Sequence, residues 1–408
     1  MTGQDFGNER DDERQFDDQS GTPTLASLTT MRVGGRPHQL IAVSSEQELI
    51  DTAKRVWASG EHWLLLGGGS NTIAADEAFD GTVIQILTRG IDRVQSSGER
   101  AGEVVLRIQA GEPWDSVVAT AVRNGWSGIE ALSGIPGSAG AAPVQNIGAY
   151  GQEVSDTLVA IDFLDYASGE LRRIPAAELG LGYRTSALKR GLTGVVTAVE
   201  LRLTEDVTVG AALSAPIAYA QLADALGVAL GTRVSLAELR RTVIGLRASK
   251  GMVLDPDDPD SVSAGSFFTN PIVSEEFSRT LPDDAPRWPV EDEEPDLVAT
   301  LDASTADHSA SVAMIDVAAR ERSERQSRAE RSVKLSAAWL IERAGIHKGF
   351  ALPGSHAAIS SKHTLAIVNR GGADAYEVVQ LASFVQLRVH AEFGVILRPE
   401  PVLVDLAV

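Results

Sequence analysis

Apolar residues recur along this chain with two different periods. Short apolar runs at 40–43, 63–66, 81–86, 104–108, 159–164 and 195–201 are too brief for helices and read as strands. Between them lie stretches with helical spacing. Leu49, Ile50, Ala53, Val56 and Trp57 share one face, and Ser45-Glu-Gln-Glu48 precedes them as a capping box. Trp114, Val117, Val118, Ala121 and Val122 form a second such face, which Asn124-Gly125 is placed to terminate. Further helices are predicted over 236–248, 337–344 and 377–393. The last carries Val378, Leu381, Ala382, Val385 and Val389 on one face and stops at Gly394, and 395–397 reads as a strand.

The order of these elements excludes one familiar architecture. The strand at 63–66 runs into Gly67-Gly-Gly-Ser-Asn71, a glycine turn without the G-x-G-x-x-G spacing. No helix follows it, because 81–86 is already another strand, so a Rossmann domain is rejected. A tight turn and a backbone nest for phosphate both remain open for this turn. Residues 1–24 are polar and acidic and are expected to be disordered. A second unit is expected to begin near 206. From about 274 to 334 the chain changes character: 283–302 is acidic with prolines, and 318–331 is dense in Arg, Glu and Ser. That region is expected to be a partly flexible insertion with a charged surface helix.

Composition narrows the field without choosing a function. Hydrophobic residues make up 43% and charged residues 23%, ordinary values for a globular protein, over a length that accommodates two or three domains. No apolar run approaches a membrane span, and the acidic start does not read as a secretory signal. The absence of cysteine excludes disulfides, thiolate zinc sites and cysteine nucleophiles, and fits a reducing cytosol. A formal charge of −20 opposes binding to nucleic acid or anionic membranes through the overall field. Any anionic ligand must therefore be held by local Arg, Lys and backbone N–H groups.

Residues 131–151 stand out. The segment is made almost wholly of small residues, with glycines at 134, 137, 140, 148 and 151, and no charge falls between Glu130 and Glu153. Such a neutral backbone is expected to be buried. It can wrap closely around a cofactor pyrophosphate, or it can be a glycine-rich turn packed in a core.

This segment resembles the flavin-binding signature of the UDP-N-acetylenolpyruvoylglucosamine reductase (MurB) family. The similarity recurs in the family's order at Leu66-Gly-Gly-Gly-Ser-Asn71, Gly182-Tyr-Arg-Thr-Ser186, Gly265-Ser-Phe-Phe-Thr-Asn-Pro271, Ala337-Ala-Trp-Leu-Ile341 and Leu397-Arg-Pro-Glu400. The resemblance covers nearly everything from about Leu25 onward, apart from the insertion. It implies an α+β fold: a vanillyl-alcohol-oxidase (PCMH)-type FAD-binding domain of two subdomains over 25–205, and a C-terminal α+β substrate-binding domain over 206–397. A strand within 398–408 would return to the FAD domain. It also implies a cytoplasmic enzyme of peptidoglycan precursor synthesis, acting as a monomer with FAD, NADPH and the enolpyruvyl nucleotide sugar, with no metal, nucleic acid or membrane partner.

Residue roles follow from the resemblance alone. Arg184 matches the catalytic arginine, Ser266 the proton donor and Glu400 the catalytic glutamate. Gly67, Gly68, Gly69, Ser70, Asn71, Gly134, Gly137, Ser138, Gly140, Ala141, Asn146 and Gly148 match flavin-contacting positions. Tyr183, Tyr219, Lys250 and Asn270 match substrate contacts, Tyr219 in the manner of the branch with a tyrosine-bearing substrate loop. Either Lys362 or His363 would supply another polar contact. Thr29-Thr-Met31 departs from the family's common Asn-Thr-Phe entry. Two other readings are weighed beside this one: a noncovalent FAD-dependent sugar or alcohol oxidase on the same fold, and a flavin- or nucleotide-binding sensor without catalysis. The second sits poorly with Arg184, Ser266 and Glu400 occurring together.

Overall fold

The computed structural model describes residues 21–94, 100–205, 212–290 and 332–408. Most of the predicted acidic tail, the predicted helix at 318–331 and much of the predicted insertion lie outside them. Three parallel strands form the first sheet, in the order Pro37–Val43, Phe79–Ile86, His62–Leu66. The helix Glu46–Ser59 makes the crossover between the first and second strands in sequence. Ser45 accepts from the Glu48 N–H at 3.3 Å, and Gly60 closes the helix in the left-handed conformation. The Glu48 carboxylate accepts from the Ser44 N–H at 2.8 Å, one residue upstream of where a capping box would place it.

The second sheet is antiparallel, ordered Leu171–Pro175, Leu158–Asp165, Gly194–Glu205, Glu103–Gln109, Ile91–Val94. Alternation along its strands sends side chains to two cores. Leu164 and Val195 meet Val43, Leu49, Ala53 and Ile84 between the sheets. Phe163, Val196 and Val199 instead face the helix Trp114–Asn124, through Trp114, Val117 and Val118. Arg107 ties the crossover helix to the antiparallel sheet, 2.7 Å from both Glu46 and Asp162, while Thr197 donates to Glu46 at 2.8 Å. The edge strand Leu171–Pro175 was not predicted, because its exposed Leu171-Arg-Arg173 carries almost no apolar alternation.

The C-terminal core is built on the helix Ala375–Phe393. Its predicted face of Val378, Leu381, Ala382, Val385 and Val389 is fully buried, and Gly394 ends it. It packs against the helix Ala337–Arg343 and the hairpin Ala357–Ile359/Ile367–Asn369. Ile272–Ser274, Ser332–Leu335 and Arg287–Val290 form a small antiparallel sheet. The predicted strand at 395–397 is not one. Val395 and Leu397 go into the core, but the Leu397 carbonyl accepts from the Gln386 side chain at 2.8 Å rather than joining a ladder.

Three connections hold the site together. Met31, Val33 and Ile73 belong to the C-terminal core. Val402–Val404 pairs in parallel with Thr72–Ala74, directly after the glycine turn. The helix Leu236–Ala248 packs with Leu222 and Ala223 onto Ala131, and Arg240 grips Asp115 through two contacts of 2.7 Å. That last packing carries Arg247 and Lys250 to the glycine-rich segment.

Candidate active site

A cavity of about 520 Å³ lies where these connections meet. Its floor is two glycine turns packed backbone to backbone. A Cβ at Gly68 would stand 2.8 Å from the Gly137 Cα, and one at Gly69 would stand 2.0 Å from the Leu28 carbonyl. The glycines thus serve first to bring the turns together. Gly140 behaves likewise, since a Cβ there would lie 2.6 Å from the Ala110 Cβ. Among the described residues, the N–H groups of Gly68, Gly69 and Ser70 donate to nothing within the protein and form a backbone nest beside the cavity. Leu65, Ile86, Ile135, Phe163 and Val196 supply apolar wall. An apolar cavity of this size with an unused nest fits a dinucleotide cofactor such as FAD.

The cavity's charge opposes that of the chain. Its lining includes Arg184, Lys189 and Arg247 against one acid, Glu400. Three cations facing one carboxyl make it locally positive in a protein of formal charge −20, as anionic ligands require.

Arg184 sits on the connection before the strand Gly194–Glu205 with φ of +53°, a left-handed conformation that side chains resist. Asn146 and Tyr150, at +45° and +50°, are strained in the same way. Asn146 is the fixing point: its amide reaches Glu153 at 2.8 Å and the Gly182 carbonyl at 3.1 Å, and its Oδ1 accepts from Ser155. Arg184 donates to the Gly148 carbonyl at 3.0 Å, and its Nε lies 3.1 Å from Glu400 Oε1. Gln145 Nε2 donates to the same oxygen at 3.2 Å. Burial pushes the Glu400 carboxyl above its ordinary value, while Arg184 and Lys189 pull it back. Both donors fall on Oε1.

Ser266 also lines the cavity. The two residues after it, Phe267 and Phe268, are buried. Phe268 makes a single bridge, to Pro399, and Glu400 N–H donates to the Phe267 carbonyl at 2.8 Å. That contact ties the Ser266 loop to the Glu400 loop. His363 stands behind Ser266, Nε2 to Oγ 3.5 Å.

Other predicted residues are distributed unevenly. Gly67 to Asn71, Gly137, Ser138, Gly140, Ala141 and Gly148 all line the cavity. Gly134 and Asn146 do not. Gly134 N–H is taken by Asp115 at 2.6 Å, and Asn146 acts from behind. Tyr183 accepts from the Asn270 N–H at 3.3 Å, while Asn270 Oδ1 accepts from the Ala337 N–H at 2.9 Å. Tyr219, 45% exposed, meets the Tyr150 ring edge-on at 5.8 Å, and Lys250 Nζ lies 5.7 Å above that same ring. Lys362 pairs with Asp258 at 2.8 Å, which leaves His363 as the member of that pair beside Ser266.

Four residues escaped the sequence reading. Gln145 and Lys189 bracket Glu400, Tyr150 anchors the Tyr219 and Lys250 cluster, and Arg247 is a buried cation whose Nε has no partner among the described residues. Burial lowers the Lys189 and Arg247 values and raises that of Tyr150. Arg247 had a legible signal: it closes the predicted helix at 236–248, three residues before Lys250.

The chain is similar to known proteins over most of its length. Residues 37–175 match the model of an FAD binding domain, and residues 257–404 match that of the UDP-N-acetylenolpyruvoylglucosamine reductase C-terminal domain. The chain is 62% identical to the UDP-N-acetylenolpyruvoylglucosamine reductase of Leifsonia xyli, over 94% of this chain and 98% of that protein. It is 45% identical to the enzyme of that name from Saccharopolyspora erythraea, over 95% and 96%. The crystal structure of the Thermus caldophilus reductase (MurB) superposes with a TM-score of 0.57 at 25% identity, covering 94% of this chain and 98% of that one.

Proposed function

The chain belongs to the UDP-N-acetylenolpyruvoylglucosamine reductase family, and on that premise we propose how its own residues carry the reaction. The protein is an FAD-dependent, NADPH-using oxidoreductase that converts UDP-N-acetylglucosamine enolpyruvate to UDP-N-acetylmuramate in peptidoglycan synthesis. An oxidase on the same fold is not favoured, since the relatives are reductases. The observation carrying the residue assignments is the convergence of Arg184, Ser266 and Glu400, from three distant segments, on one positive cavity floored by the glycine turns.

When bound, the flavin supplies two-electron chemistry, accepting hydride from NADPH and delivering it to the vinyl CH2 carbon of the substrate. Arg184 holds the substrate carboxylate and favours the charge that develops there as the neighbouring carbon becomes carbanionic. Glu400, whose carboxyl burial pushes above its ordinary value, donates a hydrogen bond to the same developing enolate when it carries a proton. Ser266 gives its hydroxyl proton to the carbanion, forming the C–H bond of the lactyl ether. Arg247, Lys250, Tyr150 and Tyr219 receive the nucleotide diphosphate at the mouth. The unused N–H groups of Gly68, Gly69 and Ser70 support a pyrophosphate contact from the flavin.

We take 25–205 as the FAD domain, 206–397 as the substrate domain and 398–408 as the return to the first. The pairing of Val402–Val404 with Thr72–Ala74 supports that return. Among the described residues no helix is long and apolar enough to cross a membrane. We propose a cytoplasmic monomer, which light scattering after size exclusion would check. The residue assignments are tested by anaerobic reduction with NADPH, then mixing with the enolpyruvyl substrate in D2O. Deuterium is expected at the protonated carbon, and Ser266→Ala should block its delivery while leaving reduction by NADPH intact. Wild-type turnover by Ser266→Ala would overturn the Ser266 role.

A further inference from the structure

A hydroxyl is a weak acid, and nothing in Ser266 alone decides where its proton points. Its backbone follows Gly265, at φ of +78°, and its Oγ reaches both the cavity and one imidazole nitrogen. A neutral imidazole carries one N–H, so His363 Nε2 either accepts from Ser266 or donates to it. If it accepts, the hydroxyl proton is turned toward the ring and away from the substrate, the arrangement of an activated nucleophile. If it donates, an Oγ lone pair is occupied and the hydroxyl proton is left to rotate into the cavity.

We propose that His363 is a positioning residue whose Nε2–H donates to Ser266 Oγ, aiming the serine proton at the substrate carbon and holding the alkoxide that remains. The proposal rests on the assignment of Ser266 as proton donor. In the step, the Ser266 O–H bond breaks as the substrate C–H bond forms. The serine oxygen keeps the electron pair and regains a proton from water once product leaves. Neutrality of the ring has a physical cause. Burial, with Lys250, Lys348 and Arg247 nearby, pushes the His363 value down to about 4, so near pH 7 it carries one proton. The same cations stabilise the alkoxide. The ring is itself fixed through its backbone, His363 N–H donating to Ser360 Oγ at 3.2 Å.

The test has two arms. Nitrogen-15 correlation spectra of the wild-type protein should show His363 protonated at Nε2 near pH 7, and protonation at Nδ1 would overturn the proposal. In rapid-mixing experiments, His363→Leu should be reduced by NADPH at the wild-type rate but reoxidised by the enolpyruvyl substrate about tenfold more slowly, the usual worth of one hydrogen bond. His363→Gln, which retains a donor at the Nε2 position, should recover most of that loss, and a Gln variant no faster than Leu would refute the donor role. In a Ser266→Ala background, His363→Leu should cause no further loss. An equal loss in both backgrounds would mean that His363 acts on substrate rather than through Ser266. Wild-type reoxidation by Ser266→Ala would defeat the serine assignment itself. A slow Ser266→Ala beside a wild-type His363→Leu would defeat only the positioning role.

Discussion

Replacing Arg184 by glycine and by alanine separates catalysis from backbone strain. Both changes remove the guanidinium that bonds the Gly148 carbonyl at 3.0 Å and Glu400 at 3.1 Å. Loss of one preorganised donor at a developing charge typically costs about 10²–10³ in rate, so both variants should reoxidise with the enolpyruvyl substrate that much more slowly. Their stabilities should differ. At φ of +53° an L-residue bears roughly 1–2 kcal/mol of steric cost that glycine escapes. Glycine's freer unfolded chain returns roughly 0.5–1 kcal/mol of that. The balance favours Arg184→Gly over Arg184→Ala by about 0.5–1 kcal/mol, on the order of 1 °C in Tm for a chain of this length. Scanning calorimetry at saturating FAD would resolve the order, and stopped-flow reoxidation would give the rates. An alanine variant more stable than the glycine one would refute the strain argument. Wild-type reoxidation by either would refute the catalytic role of Arg184.

Other expectations concern the cofactor, the substrate and pH. Ala141 is exposed on the cavity lining, so Ala141→Phe should fold normally yet lose FAD, read as loss of bound-flavin absorbance at unchanged apo stability. It is a cleaner probe than Gly140→Val, whose new side chain would strike Ala110. Lys250→Ala should weaken nucleotide-sugar binding by about 1.5–3 kcal/mol, the worth of one charge-assisted contact, and unchanged affinity by calorimetry would contradict its role. The same variant should raise the His363 pKa from about 4, because Lys250 depresses it, which an NMR titration would follow. His363 gains its proton in the unfolded chain near 6.5 but in the fold only near 4. Its contribution to stability is therefore present at pH 7 and lost as pH falls from about 6.5 toward 4. Denaturation of wild type and His363→Phe should converge across that window, and parallel curves would argue against a buried neutral ring.

Much of the local structure was legible in the sequence because its causes are local. The Ser45 cap, the left-handed stops at Gly125 and Gly394, and the buried face of the helix Ala375–Phe393 all follow from residues within a few positions of one another. The glycine-rich turns and the order of motifs identified the family. Periodicity failed where burial and pairing part company. Val395 and Leu397 are buried without forming a strand of their own, and Leu171–Pro175 pairs on a sheet edge where solvent asks for no alternation.

The chemistry of the cavity belongs to tertiary structure. Gln145 meets Glu400 across 255 residues, and Ser266 meets His363 across 97, distances over which no periodic signal operates. The two glycine turns read as ligand-binding backbone, yet their glycines are required first for the approach of one turn to the other, seen only when Gly68 and Gly137 are brought together. Sequence tells which side chains seek burial and where the chain turns. Only the assembled fold decides which of Lys362 and His363 reaches Ser266, and which cations survive inside a protein whose overall charge is negative, because both depend on what the rest of the chain has placed around them.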